Sequence, residues 1–261
     1  MIPFAPVTLQ DRQKYLPYLQ HASHRGCAYS FVNQYLWGRQ FAAMVEGMLV
    51  IFSQYNCKSV YLFPCGEGDP APALAEILAD ARERGIPCRF AGLSQEDCAL
   101  LERMYPGKFR CHFDRDAFEY VYDINDLADL SGRKYQKKRN HLNRFRQANP
   151  EYTLEPIGRE NMDRVKTLID RWYQMRQAAD PHSDFVMEQA AVSRALRHWE
   201  ELELPVFLPG DLLQSQVRCS FRRQGKLAQC GGNFIAHRLI KALKSGICRH
   251  QQAAIIALLP Q

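Results

Sequence analysis

Two kinds of hydrophobic pattern alternate along the first half of the chain. Apolar residues at every second position predict strands, and apolar residues spaced three or four apart predict helices. A tight turn is indicated at Glu46-Gly47 between two apolar runs, and Ser94 followed by Asp97 is a capping-box pattern that begins a helix. The predicted elements are a helix at 8–22 interrupted by Pro17, a helical segment at 29–37, strands at 39–45, 48–52 and 59–63, a helix at 70–84, a strand at 87–91 and a helix from Ser94.

The pattern restarts after residues 105–114, which we interpret as the passage to a second domain. Phe118, Tyr120 and Tyr122 share one face of a predicted strand, a face that is typical of a core. The elements predicted after it are helices at 131–146, 160–177 and 184–203 and a strand at 152–156. Because strands and helices alternate, we predict an α/β (α+β) fold with two domains. The first domain comprises residues 1–114, and residues 115–204 form the first part of the second.

A run of sixteen residues at 131–146, SGRKYQKKRNHLNRFR, carries seven cations and no acid, whereas the whole chain has a formal net charge of +6. Read as a helix, it places Tyr135, Leu142 and Phe145 along one apolar stripe and turns the cations outward. Like charges at this spacing repel, so a bound polyanion would relieve the repulsion. A face that meets only solvent is the alternative. The candidate polyanion-binding residues are Arg133, Lys134, Lys137, Lys138, Arg139 and Arg144.

The last fifty residues, 212–261, contain no Asp or Glu but eight Lys or Arg. With 28 acids in 261 residues, an acid-free window of this length has a chance of roughly three in a thousand at a given place. Two hypotheses fit this atypical basic segment at 205–261. It is a polyanion-binding tail, or it results from a shifted reading frame that removes the native strands of the second domain. Its three cysteines and the apolar run at 255–259 favour the shifted frame.

Composition excludes several classes of protein. Nine cysteines lie scattered with no CxxC pair, so we expect neither a disulfide framework nor a metal site. No apolar stretch is long enough to span a membrane, and the N-terminus lacks the pattern of a signal peptide, so we expect a cytoplasmic protein. The chain contains neither the GxGxxG pattern of dinucleotide-binding sites nor the GxxxxGK[ST] pattern of P-loop nucleotide sites. The residues by themselves identify no catalytic group and no cofactor.

Several segments together resemble a known family of bacterial proteins. They are DRDAFEYVYD at 114–123, LSGRKYQKKRNHLNRF at 130–145, CAYSFVNQYLW at 27–37 and FPCGEGD at 63–69, with LSQED and YPGKF between them. They resemble the phosphatidylglycerol lysyltransferase C-terminal domain family (DUF2156 type). The resemblance covers residues 1–204 and stops near Pro205.

The resemblance implies two tandem acetyltransferase-like (GNAT-like, acyl-CoA N-acyltransferase-like) domains, of which the second would be incomplete if the reading frame is shifted. It also implies transfer of an aminoacyl group from a charged tRNA to a lipid or another acceptor, with acyl-CoA as a further donor to consider. Aminoacyl-tRNA would be a substrate, so no cofactor is expected. The expected partners are tRNA and an anionic phospholipid surface, the latter placing the protein at the inner membrane face. The alternative is a non-catalytic module of the same fold that binds tRNA or an anionic membrane.

Overall fold

The computed structural model describes residues 1–23, 26–55, 58–113, 124–151, 154–182, 185–204, 207–209, 218–223, 226–231 and 254–258. The chain divides into two compact units. Unit 1 comprises Met1–Val121 and Gly246–Gln261, and unit 2 comprises Tyr122–Ser245. The domain boundaries that the sequence predicts at 114 and 204 stay predictions, as do the related topologies of the two domains.

Eight helices and eleven strands lie in the described ranges. The helices are α1 Arg12–Gln20, α2 Phe31–Leu36, α3 Ala71–Glu83, α4 Gln95–Met104, α5 Ile124–Asp129, α6 Gln136–Ala148, α7 Met162–Ala179 and α8 Val186–Arg197. The strands are β1 Ala5–Pro6, β2 Gln40–Val45, β3 Met48–Tyr55, β4 Lys58–Leu62, β5 Arg89–Leu93, β6 Phe109–His112, β7 Leu154–Pro156, β8 Phe207–Pro209, β9 Arg218–Arg223, β10 Lys226–Gly231 and β11 Ala254–Leu258. The mixed α/β class predicted from the sequence is confirmed.

Local signals in the sequence located several elements of unit 1. The predicted hairpin is confirmed, because β2 and β3 pair antiparallel across Glu46 and Gly47, whose φ angles of 48° and 75° form the turn. The capping box at α4 is also confirmed, since the hydroxyl of Ser94 accepts from the Asp97 N–H at 3.1 Å and the Asp97 carboxylate accepts from the Ser94 N–H at 2.8 Å. Pro17 lies inside α1, so the helix continues through it and is not interrupted there.

Other elements differ from the prediction. The segment interpreted as a passage at 105–114 contains β6, and α5 was not predicted at all. The basic run begins with a 3-10 turn at Arg133–Tyr135, so α6 starts only at Gln136. Four strands, β8 to β11, lie in the segment after residue 205, where the sequence shows only weak alternation. The predicted strand at 118–122 lies outside the described residues, and the shifted reading frame stays a hypothesis.

The sheet of unit 1 has seven strands in the order β1-β2-β3-β4-β5-β11-β6. Neighbouring strands pair antiparallel, except that β4 and β5 are parallel at Tyr61↔Phe90 and Leu62↔Ala91. The last described strand, β11, therefore completes a sheet that the first 112 residues begin. Its apolar residues Ile255 and Ile256 stand opposite His112 and Cys111 of β6. Helices α3 and α4 contribute apolar faces to the core that the sheet also lines.

A buried carboxylate organises the middle of this core. Asp80 of α3 is 1% exposed and accepts hydrogen bonds from the Ile2 N–H at 2.7 Å, the Tyr61 hydroxyl at 2.7 Å and Arg84 Nε at 2.6 Å. The Arg84 guanidinium also donates to the Ile2 carbonyl at 2.9 Å and lies over the Phe52 ring. The N-terminal segment, β4 and α3 are thus joined through one charged side chain, whose desolvation is offset by three donors.

A buried tyrosine bridges β4 and β5 just beyond their last paired residues. The Tyr29 hydroxyl accepts from the Phe63 N–H at 3.2 Å and donates to the Gly92 carbonyl at 3.0 Å. Burial raises the pKa of Tyr29 well above its ordinary value, so the phenol is neutral. Its single hydroxyl is thus a hydrogen-bond partner of both the Phe63 N–H and the Gly92 carbonyl, at the point where the two strands stop pairing with each other.

We expect Tyr29→Phe to lower the free energy of unfolding by about 1–3 kcal/mol, because it leaves the Phe63 N–H and the Gly92 carbonyl buried without that partner. Urea denaturation followed by circular dichroism measures the change. Tyr105→Phe is the control, since Tyr105 is only partly buried and packs its ring against Phe109. Equal small losses in both variants would show that the Tyr29 bridge does not stabilise the strands.

Unit 2 is held by an apolar face on each of two helices. The buried residues of α7 are Val165, Ile169, Trp172 and Tyr173, and those of α8 are Ala191, Val192 and Ala195. Phe185 precedes α8 and lies 6.0 Å from the Tyr173 ring, centroid to centroid. The Arg176 guanidinium lies over both the Trp172 and Phe185 rings, at 4.8 and 4.6 Å. Short antiparallel pairs, β7 with β8 and β9 with β10, also belong to this unit.

Candidate polyanion-binding site

The basic helix α6 has an inner face and an outer face, as the sequence predicts. Tyr135, just before the helix, is 5% exposed, and Leu142 and Phe145 are partly buried along the same side. Exposed polar residues flank each of these three side chains, so the apolar stripe is narrow. Because this stripe faces the interior, its position determines which cations of the helix face solvent.

Arg139 serves the fold of its own segment. It is partly buried on the inner side, and its Nη1 donates to the carbonyls of Leu130 and Gly132, the latter at 2.8 Å. Leu130 and Gly132 both have positive φ angles, 51° and 80°, a conformation that favours glycine. The hydrogen bonds from Arg139 stabilise the turn that these two residues form. That Arg139 binds a polyanion stays a prediction, and its guanidinium also has carbonyl partners within its own segment.

Lys134 also has a partner within the protein. Its Nζ lies 2.6 Å from Asp126 Oδ2, a carboxylate from α5 that also accepts from the Tyr135 hydroxyl at 3.1 Å. The hydrogen bond from Lys134 is the main reason that the pKa of Asp126 lies below its ordinary value, and the reciprocal bond raises the pKa of Lys134. The basic run contains no acid, but the fold brings one to it from the preceding helix. Lys134 is therefore a weaker candidate than the sequence suggests.

The remaining candidates are exposed. We call Arg133, Lys137 and Arg144 the basic stripe, because they follow one another along the outer side of the run and none has a carboxylate partner among the described residues. Lys137 and Arg144 are seven residues apart, which is two helical turns or about 10 Å. Lys138 is exposed beside them. A row of cations at this spacing can contact successive charges of a linear polyanion, which is the chemistry the stripe offers.

A groove of about 750 Å³ lies between α7 and α8 in the same unit. Its floor is apolar and buried, formed by Ile169, Tyr173 and Val192. Its rim is polar and charged and comprises Arg159, Asp163, Lys166, Asp170, Gln189, Ser193 and Arg197. Sequence reasoning missed this groove, because periodicity predicts the two helices but not the space that their packing leaves between them.

Ion pairs fix part of that rim. The Arg159 guanidinium makes two hydrogen bonds to the Glu200 carboxylate, at 3.0 and 2.7 Å, and Lys166 Nζ lies 3.3 Å from Asp163 Oδ1. Hydrogen bonding to Arg159 lowers the pKa of Glu200 below its ordinary value. The groove thus combines an apolar floor with a rim that carries two carboxylates, a serine hydroxyl and the cations of Arg159, Lys166 and Arg197.

The described residues hold no group of three or more His, Cys, Asp or Glu side chains placed to bind a metal ion. Within the same ranges, none of the helices is both long enough and apolar enough to cross a bilayer.

Comparison with known proteins assigns the chain to a family. Residues 20–214 match the family described as phosphatidylglycerol lysyltransferase, C-terminal. No curated protein matches the chain. A crystal structure of a conserved protein of unknown function from Bacteroides thetaiotaomicron superposes with a TM-score of 0.77 and 22% identity, over 99% of this chain and all of that one. That similarity supports the fold.

Two further structures share less of the chain. L-PGS from Bacillus licheniformis is 21% identical with a TM-score of 0.42, over 62% of this chain and 50% of that one. The C-terminal domain (DUF2156) of a protein named as a lysylphosphatidylglycerol synthetase, from Agrobacterium fabrum, is 16% identical with a TM-score of 0.46, over 84% of this chain and 61% of that one. The chain therefore spans about half to three fifths of these two proteins.

Proposed function

The chain belongs to the phosphatidylglycerol lysyltransferase C-terminal domain family, and we propose that it transfers an aminoacyl group from a charged tRNA to a lipid or another acceptor. The observation that carries the proposal is the family match over residues 20–214, which includes the whole basic stripe. The exposed cations of the stripe would contact tRNA phosphates, which supply most of the affinity of such complexes. An anionic lipid headgroup is the other polyanion that the same cations suit.

The reaction asks little covalent chemistry of the protein. An acceptor hydroxyl oxygen attacks the ester carbonyl carbon of the aminoacyl-tRNA, the terminal hydroxyl of the tRNA leaves, and the hydroxyl proton of the acceptor passes to it. Positioning of the two substrates and stabilisation of the developing oxyanion account for most of the rate in such transfers. No cofactor is needed, since the ester of the donor is already activated.

The groove between α7 and α8 is our candidate for the aminoacyl group. Every aminoacyl ester carries an amino group, and the rim offers the carboxylate of Asp170 beside the apolar floor, whereas that of Asp163 is paired with Lys166. A protonated amine would gain an ion pair there, while an aliphatic side chain would cover Ile169 and Val192. Because charged tRNA is made in the cytoplasm, the proposal also places the protein there, peripheral to the inner membrane face when the acceptor is a lipid.

A transfer assay tests the proposal. The protein is incubated with tRNA carrying a radiolabelled amino acid and with phosphatidylglycerol vesicles, and label is counted in the lipid fraction and in the tRNA. We expect label to leave the tRNA and appear in lipid, or in another acceptor supplied from a cell extract. A parallel reaction with labelled acetyl-CoA tests the other acyl donor.

The alternative function is a non-catalytic module that binds tRNA or an anionic membrane. In that case the protein would retain tRNA on a filter, or sediment with the vesicles, while the label stayed on the tRNA at the rate of spontaneous hydrolysis. Transfer from acetyl-CoA alone would instead identify a different acyltransferase and reject the tRNA donor.

A further inference from the structure

Two cysteines of unit 1 approach each other from neighbouring elements. Cys98 lies on the inner side of α4 together with Leu101, and it is 8% exposed. Cys111 lies on β6, two residues after Phe109, so the two side chains share one face of the strand. Phe109 packs in the same core cluster as Cys98, which shows that this face of β6 is the one turned toward α4.

The two thiols are neighbours. The Cys111 side chain contributes, after burial, to the raised pKa of Cys98, and Cys111 is exposed to solvent. Cys65 and Cys88, also free thiols of this unit, are both buried. Among the described cysteines, the pair at 98 and 111 thus combines one solvent-accessible sulfur with a second sulfur next to it.

We propose that Cys98 and Cys111 are a redox modification site that forms a reversible disulfide when the protein meets a peroxide. The exposed Cys111 thiol first reacts with hydrogen peroxide to give a sulfenic acid and one water. The Cys98 sulfur then attacks the Cys111 sulfur, the S–S bond forms, and the sulfenic hydroxyl leaves as a second water with the Cys98 proton. Both thiols are oxidised, the peroxide is reduced, and a dithiol reverses the bond by exchange.

The order of these steps follows from the surroundings of each sulfur. Burial, with the neighbouring Cys111, raises the pKa of the Cys98 thiol to about 12, so Cys98 is a poor first nucleophile. Cys111 meets solvent and oxidant first, and Cys98 is already next to it when the sulfenic acid forms. The disulfide would tie α4 to β6, which ends the strand order of the sheet. It would raise the thermal midpoint of the protein by about 5–10 °C.

Peptide mapping of the full chain tests the proposal. The reduced protein is treated with hydrogen peroxide, remaining thiols are alkylated, and cross-linked peptides are identified by mass spectrometry with and without dithiothreitol. Cys219 and Cys230 stand opposite each other in the β9–β10 pair, so the map has to distinguish that cross-link from the one proposed. We expect a Cys98–Cys111 cross-link in most molecules of the wild type.

Matched variants complete the test. Cys111→Ser removes an exposed sulfur, so it should fold normally, lose the cross-link and lose the rise in thermal midpoint on oxidation. Cys27→Ser removes a partly exposed thiol elsewhere in the unit. This variant should keep both the cross-link and the rise in thermal midpoint on oxidation. The proposal is overturned if Cys111 is oxidised to sulfinic acid with no cross-link to Cys98, or if oxidation shifts the thermal midpoint of Cys111→Ser as much as that of the wild type. These outcomes are independent of the transferase proposal.

Discussion

Replacing Asp80 with alanine is expected to lower the free energy of unfolding by about 3–5 kcal/mol, because it removes one partner of a buried ion pair. Without the carboxylate, the Arg84 guanidinium, the Tyr61 hydroxyl and the Ile2 N–H each lose an acceptor within the core. Urea denaturation measures the loss. Glu76→Ala is the matched control, since Glu76 is an exposed acid on the same helix and its removal should change stability by less than about 0.5 kcal/mol.

The same carboxylate gives the loss a characteristic dependence on pH. Burial alone would raise the pKa of Asp80, but hydrogen bonds from Arg84, Tyr61 and the Ile2 backbone outweigh it and hold the pKa below its ordinary value. A lowered pKa in the folded state stabilises the protein above the ordinary pKa of aspartate, and this contribution disappears as pH falls through the lowered value. Asp80→Ala should lack that part of the acid dependence. Parallel stability curves for both proteins on the acid side would contradict the account.

Removing the basic stripe is expected to weaken tRNA binding by about two orders of magnitude at 0.1 M salt. The change is Arg133→Ala with Lys137→Ala and Arg144→Ala, three exposed cations that the fold does not use for an ion pair among its described residues. The control replaces Arg82, Arg103 and Lys108 with alanine. These are three exposed cations of unit 1, so the net charge changes by the same amount in both variants. Filter binding at one salt concentration compares the two variants, and equal losses would show that only net charge matters.

Lys134→Ala offers a comparison within the run itself. Because Lys134 is paired with Asp126, its removal should weaken tRNA binding less than removal of Lys137, although the sequence treats the two as equivalent. Arg139→Ala should reduce stability as well as binding, since its guanidinium bonds the carbonyls of Leu130 and Gly132. The run thus contains residues that shape the site and residues that face a ligand.

The sequence predicted those features whose causes are local. The Glu46-Gly47 hairpin and the Ser94 cap depend on a few adjacent residues, and the structure confirms both. β6 was missed because its partner β11 lies more than 140 residues later, so its four residues carry no strand signal of their own. Periodicity located the apolar stripe of α6, but it could not reveal that α5 supplies an acid to Lys134.

The groove and the cysteine pair were beyond the sequence for a similar reason. The groove exists only because two helices pack with space between them, and its charged rim comes from residues that look like ordinary solvent-facing positions. Cys98 and Cys111 have no motif spacing, and a strand and a helix have to be placed before the two sulfurs can be seen to meet. Tertiary packing decides both.

A salt titration of tRNA binding tests most directly whether the basic stripe contacts phosphates. Association constants are measured for the wild type and the stripe variant over a range of salt, with phosphatidylglycerol vesicles in parallel. Each phosphate contact contributes about −0.7 to −0.9 to the slope of log affinity against log salt. We predict that the stripe variant flattens the tRNA slope by about two to three units. Equal slopes for the two proteins on both ligands would contradict the account and leave Arg133, Lys137 and Arg144 as a face that meets only solvent.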